Sequence, residues 1–130
     1  MWHLSTVVEG TLRDASTSSL HLAQALHPTP AVCGYPSAAA RAFIQQHEGF
    51  DHNLFTGLIG WEDECGDGEW AVTIRCSQVT AEKVTVYAGA GVVSGSQPER
   101  ELSETQAKMR TMLDAMGLTQ VLEGIEGAYE

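Results

Sequence analysis

The stretch from Pro98 to Gly117 constrains the fold most, because it marks both ends of a helix and divides its surface. Proline suits the first helical turn, where its missing N–H goes unused, and glycine suits the position after the last turn. The predicted helix therefore runs from Pro98 to Met116. At 100° per residue, Leu102, Met109, Leu113 and Met116 form one apolar stripe, the expected core contact. Arg100, Arg110 and Asp114 point away from it. On the flank of the stripe, Glu101, Glu104 and Lys108 share roughly 60° of arc. Two readings of that flank stay open. Glu104 and Lys108 form a solvated i,i+4 ion pair worth about 0.2–0.5 kcal/mol, or the carboxylates reach a hard cation while Lys108 meets a substrate carboxylate. Mg2+ suits the second reading, since it takes one or two protein carboxylates and leaves room for a substrate oxygen.

Upstream, Trp2 to Leu12 carries Val and Thr without a helix signal and reads as a strand. Asp14 or Ser16 caps a helix through LHLAQAL that ends at His27, because the residue before Pro28 avoids helical geometry. HPTPAVCGYP, with three prolines and a glycine, is a stiff, shaped loop. Ser37 opens an alanine-rich helix to about Glu48, with Phe43 and Ile44 as its large apolar contacts. Leu58–Trp61, Trp70–Cys76 and Val84–Val93 read as three successive strands. Their short polar connections favour antiparallel hairpins. The fold class is α+β, an antiparallel sheet with helices packed on one side. Residues 1–118 form the folded part and residues 119–130 a frayed tail.

Charge narrows the partners. Seven basic against 17 acidic side chains leave a net charge of -10, which disfavours nucleic acid and anionic membranes. Any anion must be held by a few local cations. Cys33, Cys65 and Cys76 are odd in number and widely spaced, as in a reduced intracellular protein, and the start shows no signal-peptide pattern. The expected location is cytoplasmic. Arg75 interrupts the otherwise buried pattern AVTIRC, so it needs either an acidic partner or an anionic ligand; both remain open. Gly89-Ala90-Gly91 interrupts the next strand, where glycine often marks close approach of a ligand or backbone. GAGVVSG lacks the spacing of a dinucleotide fingerprint. The acidic run Glu62, Asp63, Glu64, Asp67, Glu69 does not follow the calcium-loop pattern and reads as a solvated hairpin loop. His3 and His27 read as satisfied structural imidazoles, and no Ser or Cys sits in a nucleophile elbow.

Taken in order, LHPTPAVCGYP, FTGLIGW, GDGEWAVTIRC, YAGAGVVSGS and ELSETQAKMRTML resemble the isochorismate synthases of the chorismate-utilising enzymes, most closely the siderophore branch. The resemblance runs from Trp2 to Leu118 and covers the C-terminal third of such enzymes. It implies one flank of a large four-layer α+β domain and Mg2+-dependent, reversible exchange of chorismate and isochorismate. It also implies site residues. Glu104 matches a metal-ligating glutamate, and Glu101 an acid supporting the metal through water. Arg75 and Lys108 match the cations on the substrate carboxylates, Gly89 a backbone contact to substrate, and Ala31 a pocket-lining position. The family's base lysine, acid glutamate and first metal glutamate match nothing here and are expected upstream of Met1. No catalytic acid or base is therefore assigned to this chain. The missing N-terminal part of the domain becomes an expected partner, and the isolated chain is expected to be inactive and prone to self-association through an exposed apolar face. A salicylate- or anthranilate-type lyase, or a non-catalytic interaction module, are the alternatives.

Overall fold

A single bend decides how the strands pair. The computed structural model describes residues 5–118. It contains α1 (Ser19–Leu26), α2 (Pro30–Cys33), α3 (Ser37–His47), β1 (Leu58–Glu62), β2 (Gly68–Val72), β3 (Cys76–Val79), β4 (Val84–Tyr87) and α4 (Pro98–Ala115). β1 pairs with β2 and β3 with β4, in two separate two-stranded sheets. The predicted strand Trp70–Cys76 is broken at Thr73–Arg75. There the Ile74 amide turns back onto the Val72 carbonyl at 3.0 Å and Arg75 adopts a left-handed φ of 49°. Arg75 is thus at a bend between two strands, half-buried, and not inside one. The same bend shortens the following strand. β3 and β4 are antiparallel, in register from Cys76↔Tyr87 to Val79↔Val84. Beyond Cys76 the chain has turned away, so residues after Tyr87 find no ladder partner, and Gly89-Ala90-Gly91 lie outside the strand predicted to reach Val93.

The α+β class and the antiparallel hairpins match expectation; several boundaries do not. Residues 5–12 form no strand, and Val7 and Val8 are 76% and 88% exposed. Val and Thr make a segment suitable for a sheet, but a strand exists only when an edge is there to pair with. Trp2 and His3 lie outside the described residues, as does the predicted 119–130 tail. No helix among the described residues is long and apolar enough to cross a membrane.

The chain divides into two compact units. The first comprises the residues up to His27 with Gly60–Trp70. Its helix α1 is capped by Ser18, not by Asp14 or Ser16. The Ser18 hydroxyl accepts from the His21 amide at 3.4 Å, and the His21 ring accepts from the Ser18 amide at 3.2 Å. Asp14 is consumed earlier, in a turn where its carboxylate accepts from the Ser16 amide and hydroxyl at 2.9 and 2.7 Å. α1 ends at His27 as predicted. The hairpin tip is held by Asp63, whose carboxylate accepts from the Cys65 and Asp67 amides at 2.9 and 3.0 Å. This acidic loop uses that carboxylate to bind its own backbone. Gly60 is required here, since a Cβ would collide with the Glu69 carbonyl and the Trp70 ring.

The second unit comprises Pro28–Ile59 and the residues from Ala71 on. Here α2 packs against α3 and α4 against β4. α4 begins at Pro98 and closes at Gly117, as the sequence foretells. Gly117 has φ of 70° and donates to Asp114 at 3.0 Å, while Leu118 donates to Leu113 at 2.8 Å, a Schellman stop. Of the predicted stripe, Leu113 is buried and Met109 and Met116 are half-buried, but Leu102 is 50% exposed. On α3, Ile44 is half-buried while Phe43 is exposed and lies against His47, its neighbour one turn on. Phe55, in the turn before β1, is the other buried large apolar side chain of this unit among the described residues.

Candidate functional site

The β3–β4 register carries two predicted site residues to one end of a hairpin. Arg75 precedes Cys76, Gly89 follows Tyr87 by two residues, and Cys76 and Tyr87 are paired. α4 packs on β4 and brings a third. The Lys108 ammonium donates to the Gly89 carbonyl at 2.8 Å and pairs with the Glu104 carboxylate at 2.7 Å. The Lys108 side chain is only 18% exposed against 41% for Glu104, so this is not the fully solvated surface pair that periodicity alone allows. An ammonium has three N–H donors. Two are engaged by these contacts, and the third suits an incoming carboxylate. Arg75 adds a permanently charged fork that binds carboxylates in two-point fashion. In a chain of net charge -10, these are two of only seven basic side chains.

Glu101 lies half-buried one turn before Glu104, and its carbonyl accepts from the Thr105 hydroxyl at 2.9 Å. Among the described residues no three His, Cys, Asp or Glu side chains gather as a metal cage. Glu104 carries a carboxylate of the kind a hard cation such as Mg2+ takes, and that carboxylate is paired with Lys108. Ala31 stands exposed on α2. No hydrogen bond among the described residues joins it to Gly89 or Lys108. An open cleft of about 430 Å³ beside α3, lined by Pro28, Ser37, Arg41 and Gln45 among others, includes none of the predicted site residues. His27 departs from its expected role as a satisfied imidazole: its Nδ1 is buried with no hydrogen-bond partner among the described residues.

Sequence reasoning missed what stands behind Gly89. Phe50, His52, Phe55 and Tyr87 form a closed circuit of rings. Centroid separations are 5.4 Å for Phe50–His52, 5.3 Å for His52–Phe55, 5.5 Å for Phe55–Tyr87 and 6.2 Å for Phe50–Tyr87. These separations lie in the range of favourable aromatic packing. Three of the four residues lie in the turn region before β1, where neither helix nor strand periodicity applies. Their aromatic content was the only available signal.

Residues 1–117 match the family described as chorismate binding enzyme. The chain belongs to that family. It is 58% identical over 121 residues to the isochorismate synthase DhbC of Bacillus subtilis, covering 93% of this chain and 30% of that protein. It is 50% identical over 118 residues to the vibriobactin-specific isochorismate synthase of Vibrio cholerae, covering 91% and 30% respectively. Among solved structures it is similar to the 2,3-dihydroxybenzoate-specific isochorismate synthase DhbC of Bacillus anthracis. That likeness has a TM-score of 0.82 at 60% identity, over 84% of this chain and 29% of the other. The chain thus spans about 30% of the length of the relatives it matches.

Proposed function

We propose that this chain is the substrate-gripping part of an isochorismate synthase. In this reading Arg75 and Lys108 hold the carboxylates of chorismate or isochorismate, the Gly89 backbone lies along the substrate and Ala31 lines the pocket. Glu104 would hold Mg2+ with Glu101 supporting it through water, and the ion would supply charge stabilisation at a substrate carboxylate. The lysine and glutamate to which the family resemblance gives the general acid–base chemistry match no residue of this chain. That chemistry falls to the rest of the enzyme, so the isolated chain binds without turning over. The observation that carries the reading is the half-buried Lys108, bonded to Gly89 and Glu104 at 2.8 and 2.7 Å, in a chain so similar to named isochorismate synthases.

The experiment is a chimera in which this chain replaces the matching segment of the Bacillus subtilis enzyme. The chimera is expected to convert chorismate to isochorismate with Mg2+ present, and the isolated chain is not. A folded chimera without that activity sinks the proposal, and turnover by the isolated chain sinks its second half.

A further inference from the structure

We propose that Phe55 is a positioning residue for Lys108: its ring backs Gly89 and holds the carbonyl that orients the Lys108 ammonium. β4 ends at Tyr87, so no strand ladder holds Gly89 in place. Something else must. Gly89 is exposed, and the Cζ atom of Phe55 lies 3.7 Å from where a Cβ on it would stand, so the ring tip is the side-chain group on that side of the glycine. Phe55 is 8% exposed and stacks on Tyr87 at 5.5 Å, two residues before Gly89. Successive side-chain positions alternate along extended backbone, so residues two apart share a face. The ring that stacks on Tyr87 thus also faces Gly89.

The ring is itself held in a constrained turn. Thr56 has φ of 63°, an outlier for a β-branched residue, and Asn53 has φ of 50°. Such geometry persists only where the surroundings over-determine it. The Thr56 amide donates to the Thr73 carbonyl at 2.8 Å, and the Phe55 amide to the His52 carbonyl at 2.8 Å. The Thr56 hydroxyl bonds His52 Nδ1 at 3.3 Å, while His52 Nε2 meets the Glu48 carboxylate at 2.5 Å. His52 thus links Glu48 to Thr56 through its two ring nitrogens. This Glu48–His52–Thr56 relay fixes the turn that aims Phe55 at Gly89.

The inference deepens the proposed function and relies on it only for its catalytic consequence. A direct test needs no substrate. Lys83 and Lys108 are the two lysines of the chain, and Lys83 is exposed. Trace labelling of the 130-residue chain with acetic anhydride, read by mass spectrometry, gives the Lys108-to-Lys83 reactivity ratio with Lys83 as internal reference. Phe55→Tyr places an oxygen at the ring tip facing Gly89, and Phe55→Leu withdraws the tip. Each is expected to raise the ratio severalfold with the helical circular dichroism retained. An unchanged ratio in folded variants overturns the proposal. Variants that lose the helical signal would make Phe55 merely a core residue and overturn it equally. In the chimera, Phe55→Tyr should raise KM for chorismate far more than it lowers kcat, whereas loss of folded enzyme lowers kcat alone. An inactive parent chimera counts against the proposed function and leaves the labelling result standing.

Discussion

The two units of the chain are stabilised in different ways. In the first, polar groups close on one another: Glu62 accepts from the Leu20 amide at 2.7 Å and the Ser19 hydroxyl at 3.1 Å, and the Trp70 indole donates to Ser19 at 3.2 Å. Asp63 satisfies its own loop. In the second, the rings of Phe50, His52, Phe55 and Tyr87 pack together and Lys108 joins Glu104 to the Gly89 carbonyl. The first unit is closed by hydrogen bonds between its own polar groups, whereas in the second Lys108 ties α4 to the Gly89 carbonyl just past β4.

The largest expected effect lies in the second unit. If Lys108 grips a substrate carboxylate as proposed, Lys108→Ala in the chimera removes a charged hydrogen bond worth about 1.5–3 kcal/mol, so kcat/KM should fall roughly 10- to 150-fold. Thermal unfolding should move little, because the lost contacts are one ion pair and one carbonyl bond. Glu104→Gln should mimic it and weaken Mg2+ dependence. Wild-type kinetics in both variants would return the pair to a structural role and erase the contrast between the units. Gly60→Ala probes the other side. Its Cβ meets the Glu69 carbonyl and the Trp70 ring, so overpacking should cost about 1–3 kcal/mol of stability. A lowered melting temperature checks this, and an unchanged one shows that the hairpin yields.

How much of this was legible in the sequence follows from whether the deciding interaction is local. Pro98 and Gly117 fixed α4 to within a residue, because caps are written in the residues that make them. His27 ended α1 for the same reason. The strands were legible only as segments. Whether residues 5–12 or 88–93 pair depends on partners, and the bend at Arg75 leaves no local mark, since arginine has no preference for a left-handed φ. In the site, periodicity placed Glu101, Glu104 and Lys108 on one flank but left an ion pair and a ligand contact open. The resemblance favours the ligand contact, while the structure shows the ion pair together with a 2.8 Å bond to Gly89 that neither periodicity nor resemblance offered. Phe55 escaped because nothing in a turn announces that its ring will be buried.

Two smaller effects sharpen the account of the first unit. Asp63→Ala removes the acceptor of two loop amides and should lower stability by about 1 kcal/mol, read as a shift in the urea midpoint. Glu62 should show itself chiefly through pH. The Ser18 hydroxyl, then the Leu20 amide, hold its carboxyl below the ordinary glutamate range, with the Ser19 hydroxyl and the neighbouring His21 adding less. A depressed folded pKa means that the stabilisation is complete above the unfolded value and is lost as the pH falls through the folded one. The sensitive window therefore opens below roughly pH 4.3 and leaves neutral pH untouched. Asp14, lowered by the Ser16 hydroxyl and amide, acts in the same direction and must be subtracted. Against an Asp14→Asn background, Glu62→Gln should flatten the remaining acid loss of helical circular dichroism. Glu62 is solvent-exposed, so the change will be the smallest of the set. An acid limb that keeps its shape in the double variant would mean that α1 is held by its Ser18 cap and the Ser19–Gly66 backbone bond, with the Glu62 charge contributing nothing.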